Sequence, residues 1–301
     1  MTPLSLALAP LRNRVYVPFV RLPEGRRVEL PGRGSTYVTD TPGPDPHSPT
    51  VVLLHALGCT GLLTWFPALP ALSTRFRVIT LDQRWHGQGI RSGDFSLHEA
   101  ADDVAALLDV LEVERALVVG YSMGGVIAQR VWRQHPRRVA GLVLAATTDR
   151  FQLTPLERTF FTGMGTGMAA LRGVSATAAG RRMAAVAAAP LEPSGIEAWA
   201  LAELRSTSPW AVGQARAALG RHHSRPWLGR IDAPTAVVVT TRDKVIPPAR
   251  QVGLARAIPG ATLHDVDAGH AACVLASERF VPALMEATTT VAARARDFHA
   301  R

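Results

Sequence analysis

Hydrophobic positions along this chain switch between two periods. Continuous β-branched and apolar runs stand at 50–54, 77–81, 116–119, 140–145, 235–240 and 261–266. Runs of this length predict strands covered on both faces. Two shorter strands are predicted at 28–30 and 35–40, joined by Pro31-Gly32-Arg33-Gly34, and four prolines in 41–49 mark a surface loop. Between strands the period lengthens. Leu97, Ala100, Ala101, Val104, Leu107, Leu108 and Leu111 fall on one helical face, with Ser96 as N-cap and Glu99 at the third helical position. A last helix is predicted over 278–294. Strands alternating with helices imply right-handed crossovers and a mostly parallel sheet.

From 149 to 228 the strand signal vanishes. The segment is rich in Ala, carries Gly and Met at 163–168, and offers helix starts at Pro155, Pro193 and Pro209. The predicted organisation is an irregular leader over 1–25, an α/β core formed by 26–148 and 229–301, and an all-helical cap (lid) over 149–228. The glycines of 163–167 are a candidate lid hinge.

Composition narrows the class. The 301 residues are 47% hydrophobic and 19% charged, the balance of a globular chain and not of a disordered one. Net charge is +9, almost wholly from Arg, with Lys244 the sole lysine. No five-residue basic run and no zinc-ligand spacing supports nucleic-acid readout, so that partner is not expected. The apolar runs at 184–189 and 237–239 fall far short of the ~18–20 residues of a membrane span. Stable membrane insertion is therefore not expected, while surface association stays open. Residues 1–10 are apolar without a basic region before them, a poor signal peptide, which makes a cytoplasmic location the expectation.

The chemistry concentrates at Gly120-Tyr121-Ser122-Met123-Gly124-Gly125, a G-x-S-x-G between a predicted strand and a helix. Such a turn pushes the serine hydroxyl out at the carboxyl end of a sheet, where a helix N-terminus favours developing negative charge. A serine nucleophile needs a base, and the base an orienting carboxylate. Asp243 follows one late strand, and His270, preceded by Gly269, follows the next. Of the other nine histidines, His86, His135, His222, His223 and His264 lack that setting. Asp149, just past 140–145, is the rival acid, and Asp267 a weaker one. The oxyanion of a tetrahedral intermediate needs two donors. The N–H of Met123 supplies one, and the loop His55-Ala56-Leu57-Gly58 the other, assigned to Leu57; His55 is expected to prop that loop. Asp82 is expected to cap its own loop.

With these residues in place the chain resembles the α/β-hydrolase fold family, in its esterase, lipase and lactonase branch with a helical cap. The resemblance rests on His55-Ala56-Leu57-Gly58, Asp82-Gln83-Arg84-Trp85-His86-Gly87, Gly120 to Gly125, Asp243 and His270, and covers roughly residues 25–295. It implies a mostly parallel eight-stranded sheet flanked by helices, with an all-helical cap after strand six. The family usually has Gly where Ala56 and Trp85 stand. Relatives that are haloalkane dehalogenases or epoxide hydrolases carry Asp at the elbow, and Ser122 argues against both. In this fold the loops of Cys59 and Cys273 come near each other, which leaves a disulfide or two free thiols open.

The expectation is a serine hydrolase cleaving carboxylic esters, lactones or thioesters of apolar small molecules through an acyl-enzyme on Ser122. Trp85, Tyr121, Phe160, Met164 and Trp199 are candidate substrate-pocket residues. No cofactor and no metal is expected, the partner is a small-molecule ester, and a homodimer is left open. Acyl transfer or perhydrolysis with the same three side chains is one alternative. A non-catalytic member of the fold that binds a small ligand is another.

Overall fold

The computed structural model describes residues 22–91, 93–151 and 195–299. Its centre is one eight-stranded sheet in the order β1-β2-β4-β3-β5-β6-β7-β8. The strands are β1 (Gly25–Leu30), β2 (Gly34–Thr41), β3 (Thr50–Leu54), β4 (Arg77–Leu81), β5 (Ala116–Tyr121), β6 (Val139–Ala145), β7 (Thr235–Thr240) and β8 (Thr262–Val266). β1 and β2 run antiparallel to each other, and β2 antiparallel to β4. Every other pairing is parallel.

Ten α-helices are described. They are α1 (Gly61–Trp65), α2 (Leu69–Ser73), α3 (Leu97–Val110), α4 (Met123–Gln134), α5 (Ile196–Arg205), α6 (Pro209–Gly220), α7 (Arg225–Leu228), α8 (Pro248–Arg256), α9 (Ala272–Leu275) and α10 (Ser277–His299). Side chains of a strand alternate between faces, and here that sorts two cores. Val52, Leu54 and Val118 pack with α3, α4 and α8 through Val104, Leu108, Ile127 and Leu254. Val51, Leu53 and Val119 pack with α1, α2 and α10 through Trp65, Leu72, Phe280 and Leu284. Both faces are covered, which is why the strands read as unbroken apolar runs.

Local differences from the sequence reading have local causes. Ser96 accepts from His98 N–H and Glu99 N–H and starts α3 as predicted, and Leu111 caps it instead of extending it. β5 runs on through Gly120 and Tyr121, which still pair with Leu144 and Ala145. α1, α2 and α8 were not predicted; the first two are five residues each, too short to show a period, and α8 begins at the second of two prolines. α6 begins at Pro209 as predicted. Pro155, Pro193 and the glycines of 163–167 lie outside the described residues. Among the described residues no helix is long and apolar enough to cross a membrane.

Candidate active site

The parallel strands all end on one edge, and three of those ends carry the candidate residues Ser122, Asp243 and His270. β5 stops at Tyr121, and Ser122 turns the chain with φ 53° and ψ −113° before α4 begins. A non-glycine residue at this positive φ is strained and persists only where its surroundings fix it. Glycine on both sides makes the turn sterically feasible. A Cβ on Gly120 would lie 2.2 Å from the Gly124 carbonyl oxygen, and one on Gly124 would lie 2.1 Å from that of Leu54. The second approach seats the start of α4 against the end of β3. Met123 is the first helical residue, so its N–H has no intrahelical partner.

Ser122 Oγ lies 3.0 Å from His270 Nε2. His270 Nδ1 lies 2.7 Å from Asp243 Oδ2. The three predicted side chains, 148 and 27 residues apart in the chain, therefore meet. With Nδ1–H donating to the carboxylate, Nε2 is left to accept the serine proton. The Asp243 side chain is fully buried. Its Oδ1 accepts from Val245 N–H and Ile246 N–H at 2.8 and 2.9 Å. Its Oδ2 also takes the Thr240 hydroxyl and Gln251 Nε2–H at 2.8 and 3.2 Å. Burial alone would push this carboxyl up. The hydrogen bond and charge of His270, the Ile246 N–H and the Thr240 hydroxyl outweigh it and hold Asp243 below the usual carboxylate value.

The rival acids are engaged elsewhere. Asp149 is buried, takes the Thr148 hydroxyl at 3.4 Å and faces Arg225 at 3.6 Å. Asp267 is exposed and pairs with Arg242.

The loop after β3 is built around a neutral histidine. His55 Nδ1–H donates to Ala56 O at 2.8 Å, and its Nε2 accepts Gln83 N–H at 2.9 Å. Gln83 Nε2–H returns to His55 O at 2.9 Å. Full burial, aided by the neighbouring His86, pushes His55 well below its ordinary value, so it does not carry protons here. Cys59 N–H closes a turn on Ala56 O at 3.2 Å, with Gly58 at φ 75°. Leu57, within this turn, is partly buried against the first core. Cys59 and Cys273 are free thiols, and burial pushes both up, Cys59 to about 11.

Of the predicted pocket residues, the structure redirects Tyr121. It is 1% exposed, because strand alternation points it away from Ser122 into the second core. Its ring packs edge-on against Trp65 and Phe280, and its hydroxyl donates to His270 O at 2.8 Å. It braces the histidine loop. Trp85, at φ 64°, donates from Nε1 to Gly93 O and stands edge-on to Trp210 of α6 at 4.7 Å. Trp199 of α5 stands edge-on to Phe66 at 5.3 Å. These two tryptophans fasten the helices between β6 and β7 onto the core. Phe160 and Met164 lie outside the described residues. Sequence reasoning did not single out Gln251, which reaches Asp243 from α8; its only signal was a glutamine eight residues downstream. Among the described residues no group of His, Cys, Asp and Glu is placed to hold a metal ion.

Residues 49–277 match the alpha/beta hydrolase fold family, and the chain belongs to it. The Magnesium-chelatase 30 kDa subunit of Rhodobacter capsulatus is 29% identical over 249 residues, 78% of this chain and 84% of that protein. The 3-oxoadipate enol-lactonase 1 of Acinetobacter baylyi is 36% identical over 96 residues, 32% of this chain. The matched stretch spans only 35% of that enol-lactonase. The crystal structure of the enol-lactonase from Burkholderia xenovorans LB400 superposes with a TM-score of 0.66 at 25% identity, covering 88% of this chain and all of that one.

Proposed function

We propose that this protein hydrolyses carboxylic esters or lactones of small, largely apolar molecules through an acyl-enzyme on Ser122. The observation that carries the reading is the relay from Ser122 Oγ through His270 to Asp243, at 3.0 and 2.7 Å. His270 Nε2 takes the hydroxyl proton as Oγ attacks the carbonyl carbon. The N–H groups of Met123 and Leu57 receive the oxyanion. His270 then gives its proton to the leaving alkoxide, and for a lactone that group stays tethered to the acyl chain. Water, deprotonated by the same nitrogen, attacks the acyl carbon and frees Ser122. Asp243, held ionised, stabilises the imidazolium at each half-reaction. The enol-lactonase relatives support the lactone arm.

The test is a panel of p-nitrophenyl esters of graded acyl length with a simple γ-lactone, beside a fluorophosphonate probe and Ser122→Ala. Turnover and labelling in the parent, both lost in Ser122→Ala, are expected. A folded parent that neither turns over the panel nor takes the label overturns the reading. Products other than the acid when alcohol or peroxide is added would redirect it to acyl transfer. The relative named as a chelatase subunit, aligned over 78% of this chain, favours a second reading, a binding subunit without turnover. Saturable binding of an ester that is never cleaved would favour that one.

A further inference from the structure

The segment that leaves β6 for the cap touches the nucleophile at both of its peptide groups. Ser122 N–H donates to Ala145 O at 2.9 Å. Two residues on, the Thr147 hydroxyl donates to Ser122 O at 2.8 Å, and Thr147 is fully buried. The contact needs Gly125, because a Cβ there would lie 2.6 to 2.8 Å from Thr147 Cγ2, Cβ and Oγ1. Between the two contacts Ala146 turns at φ 46° and donates to Val238 O at 3.0 Å.

A second fastening lies one turn further along α4. Gln129 is fully buried, and its Nε2 donates to Gly125 O and Thr148 O at 3.2 and 3.1 Å. Its Oε1 accepts the Ser224 hydroxyl at 2.6 Å. Ser224 belongs to the returning stem of the same insert, and its N–H donates to Asp149 O at 2.9 Å. Arg150 and His223 form an antiparallel bridge just beyond. Outgoing and returning stems are thus zipped to each other and pinned to α4.

We propose that the stem of the cap is part of the nucleophile elbow, with Thr147 a positioning residue for Ser122 and Gln129 its second anchor. Resting on the hydrolase reading above, this goes beyond it by naming what holds the strained serine. Ser122 is in a conformation that L-residues rarely adopt. Among the described residues its carbonyl otherwise meets only the Gly125 and Val126 N–H groups of its own helix, so Thr147 is there the tie that comes from outside α4. Removing that tie lets the Ser122 peptide relax and moves Oγ off the line to His270 Nε2. Substrate binding is left nearly untouched, so the loss falls on kcat and not on KM.

The experiment compares Thr147→Val, which keeps the shape and removes the hydroxyl, with Thr147→Ser, which keeps the hydroxyl. Readouts are kcat and KM on p-nitrophenyl butyrate, the rate of fluorophosphonate labelling, and Tm. Thr147→Val is expected to lower kcat and labelling together by about tenfold, the size of one hydrogen bond at the elbow, with KM within about twofold. Thr147→Ser is expected to restore both. Wild-type kcat and labelling in folded Thr147→Val, or Thr147→Ser as impaired as Thr147→Val, overturns the positioning role while the hydrolase reading stands. Should Thr147→Val fail to fold, Gln129→Met keeps the length without the polar atoms and is expected to label about threefold more slowly; labelling at the parental rate then overturns the proposal. A parent with neither turnover nor label overturns the hydrolase reading and, with it, the role for Thr147.

Discussion

Two buried aspartates, one on each side of β3, each accept two backbone N–H groups, and their carboxyls are shifted in opposite directions. Asp82 follows the end of β4 and accepts Gly61 N–H and Gln88 N–H at 2.9 and 2.8 Å. Asp243 follows β7 and accepts Val245 N–H and Ile246 N–H. Asp243 adds His270, and its carboxyl is held below the ordinary value. For Asp82 burial is the largest influence, the nearby Glu203 adds to it, and the two N–H bonds with the charge of Arg27 only partly offset them, so it rises to about 6. Two backbone donors therefore do not offset the cost of burying a carboxylate. The hydrogen bond from His270, the largest of the effects that lower Asp243, makes the difference, which marks Asp243 and not Asp82 as the group fit to face an imidazolium.

The sharpest way to break this contrast is Asp243→Asn. An amide preserves the packing and most of the hydrogen bonds but cannot fix the imidazole tautomer or stabilise its cation. We expect kcat on the ester panel to fall by about 10⁴-fold, against little change for Asp82→Asn. Steady-state kinetics on both variants checks it, and comparable losses in the two would erase the distinction.

Stability should separate the pair next, with opposite signs. Asp82 has a folded value raised from 3.8 to about 6. Its contribution is fully present below pH 4 and is lost as pH rises through 6, a change of about 3 kcal/mol for a shift of about two units. Asp243 has a depressed folded value, so its contribution is present above the ordinary carboxylate value and is lost as pH falls through the lowered one. Urea unfolding from pH 3 to 7 should show Asp82→Asn losing most of the slope between pH 4 and 6. Asp243→Asn should instead flatten the acid limb. The same slope in the parent and in Asp82→Asn would contradict the assignment.

How far this was legible in the chain itself follows from what each feature depends on. β3, β4 and β7 could be read to their end residues because a strand buried on both faces needs an unbroken apolar run. The elbow was legible because a turn this tight demands Gly120 and Gly124 around Ser122. Asp243 was assigned with Asp149 left open, since both follow apolar strands. Only the partners brought from far along the chain, His270 for one and Arg225 for the other, tell them apart. Tyr121 was misplaced because strand phase decides its face, and β5 runs two residues further than its apolar stretch. The tie from Thr147 to Ser122 O left no pattern at all, since a hydroxyl on a backbone carbonyl can come from any Ser or Thr.

The smallest effect tests the neighbour that distinguishes Asp82 from its counterpart. Glu203 sits on α5, accepts the Thr60 hydroxyl, and its charge adds to the rise of Asp82. Glu203→Gln removes that charge while leaving an oxygen for Thr60, so the docking of α5 on the loop after β3 is retained. Burial, the larger cause, is unchanged. The midpoint of the Asp82-linked stability change should therefore move below 6 yet stay above 3.8, by less than about one unit, or under about 1.4 kcal/mol at neutral pH. The sign is a gain, because a carboxylate easier to ionise in the folded state costs less to hold charged. The pH series of unfolding, run on Glu203→Gln beside the parent, resolves a shift of that size. A midpoint that does not move would leave burial as the sole cause of the contrast with Asp243, and one that falls to 3.8 would mean that the anionic neighbour, and not burial, sets it.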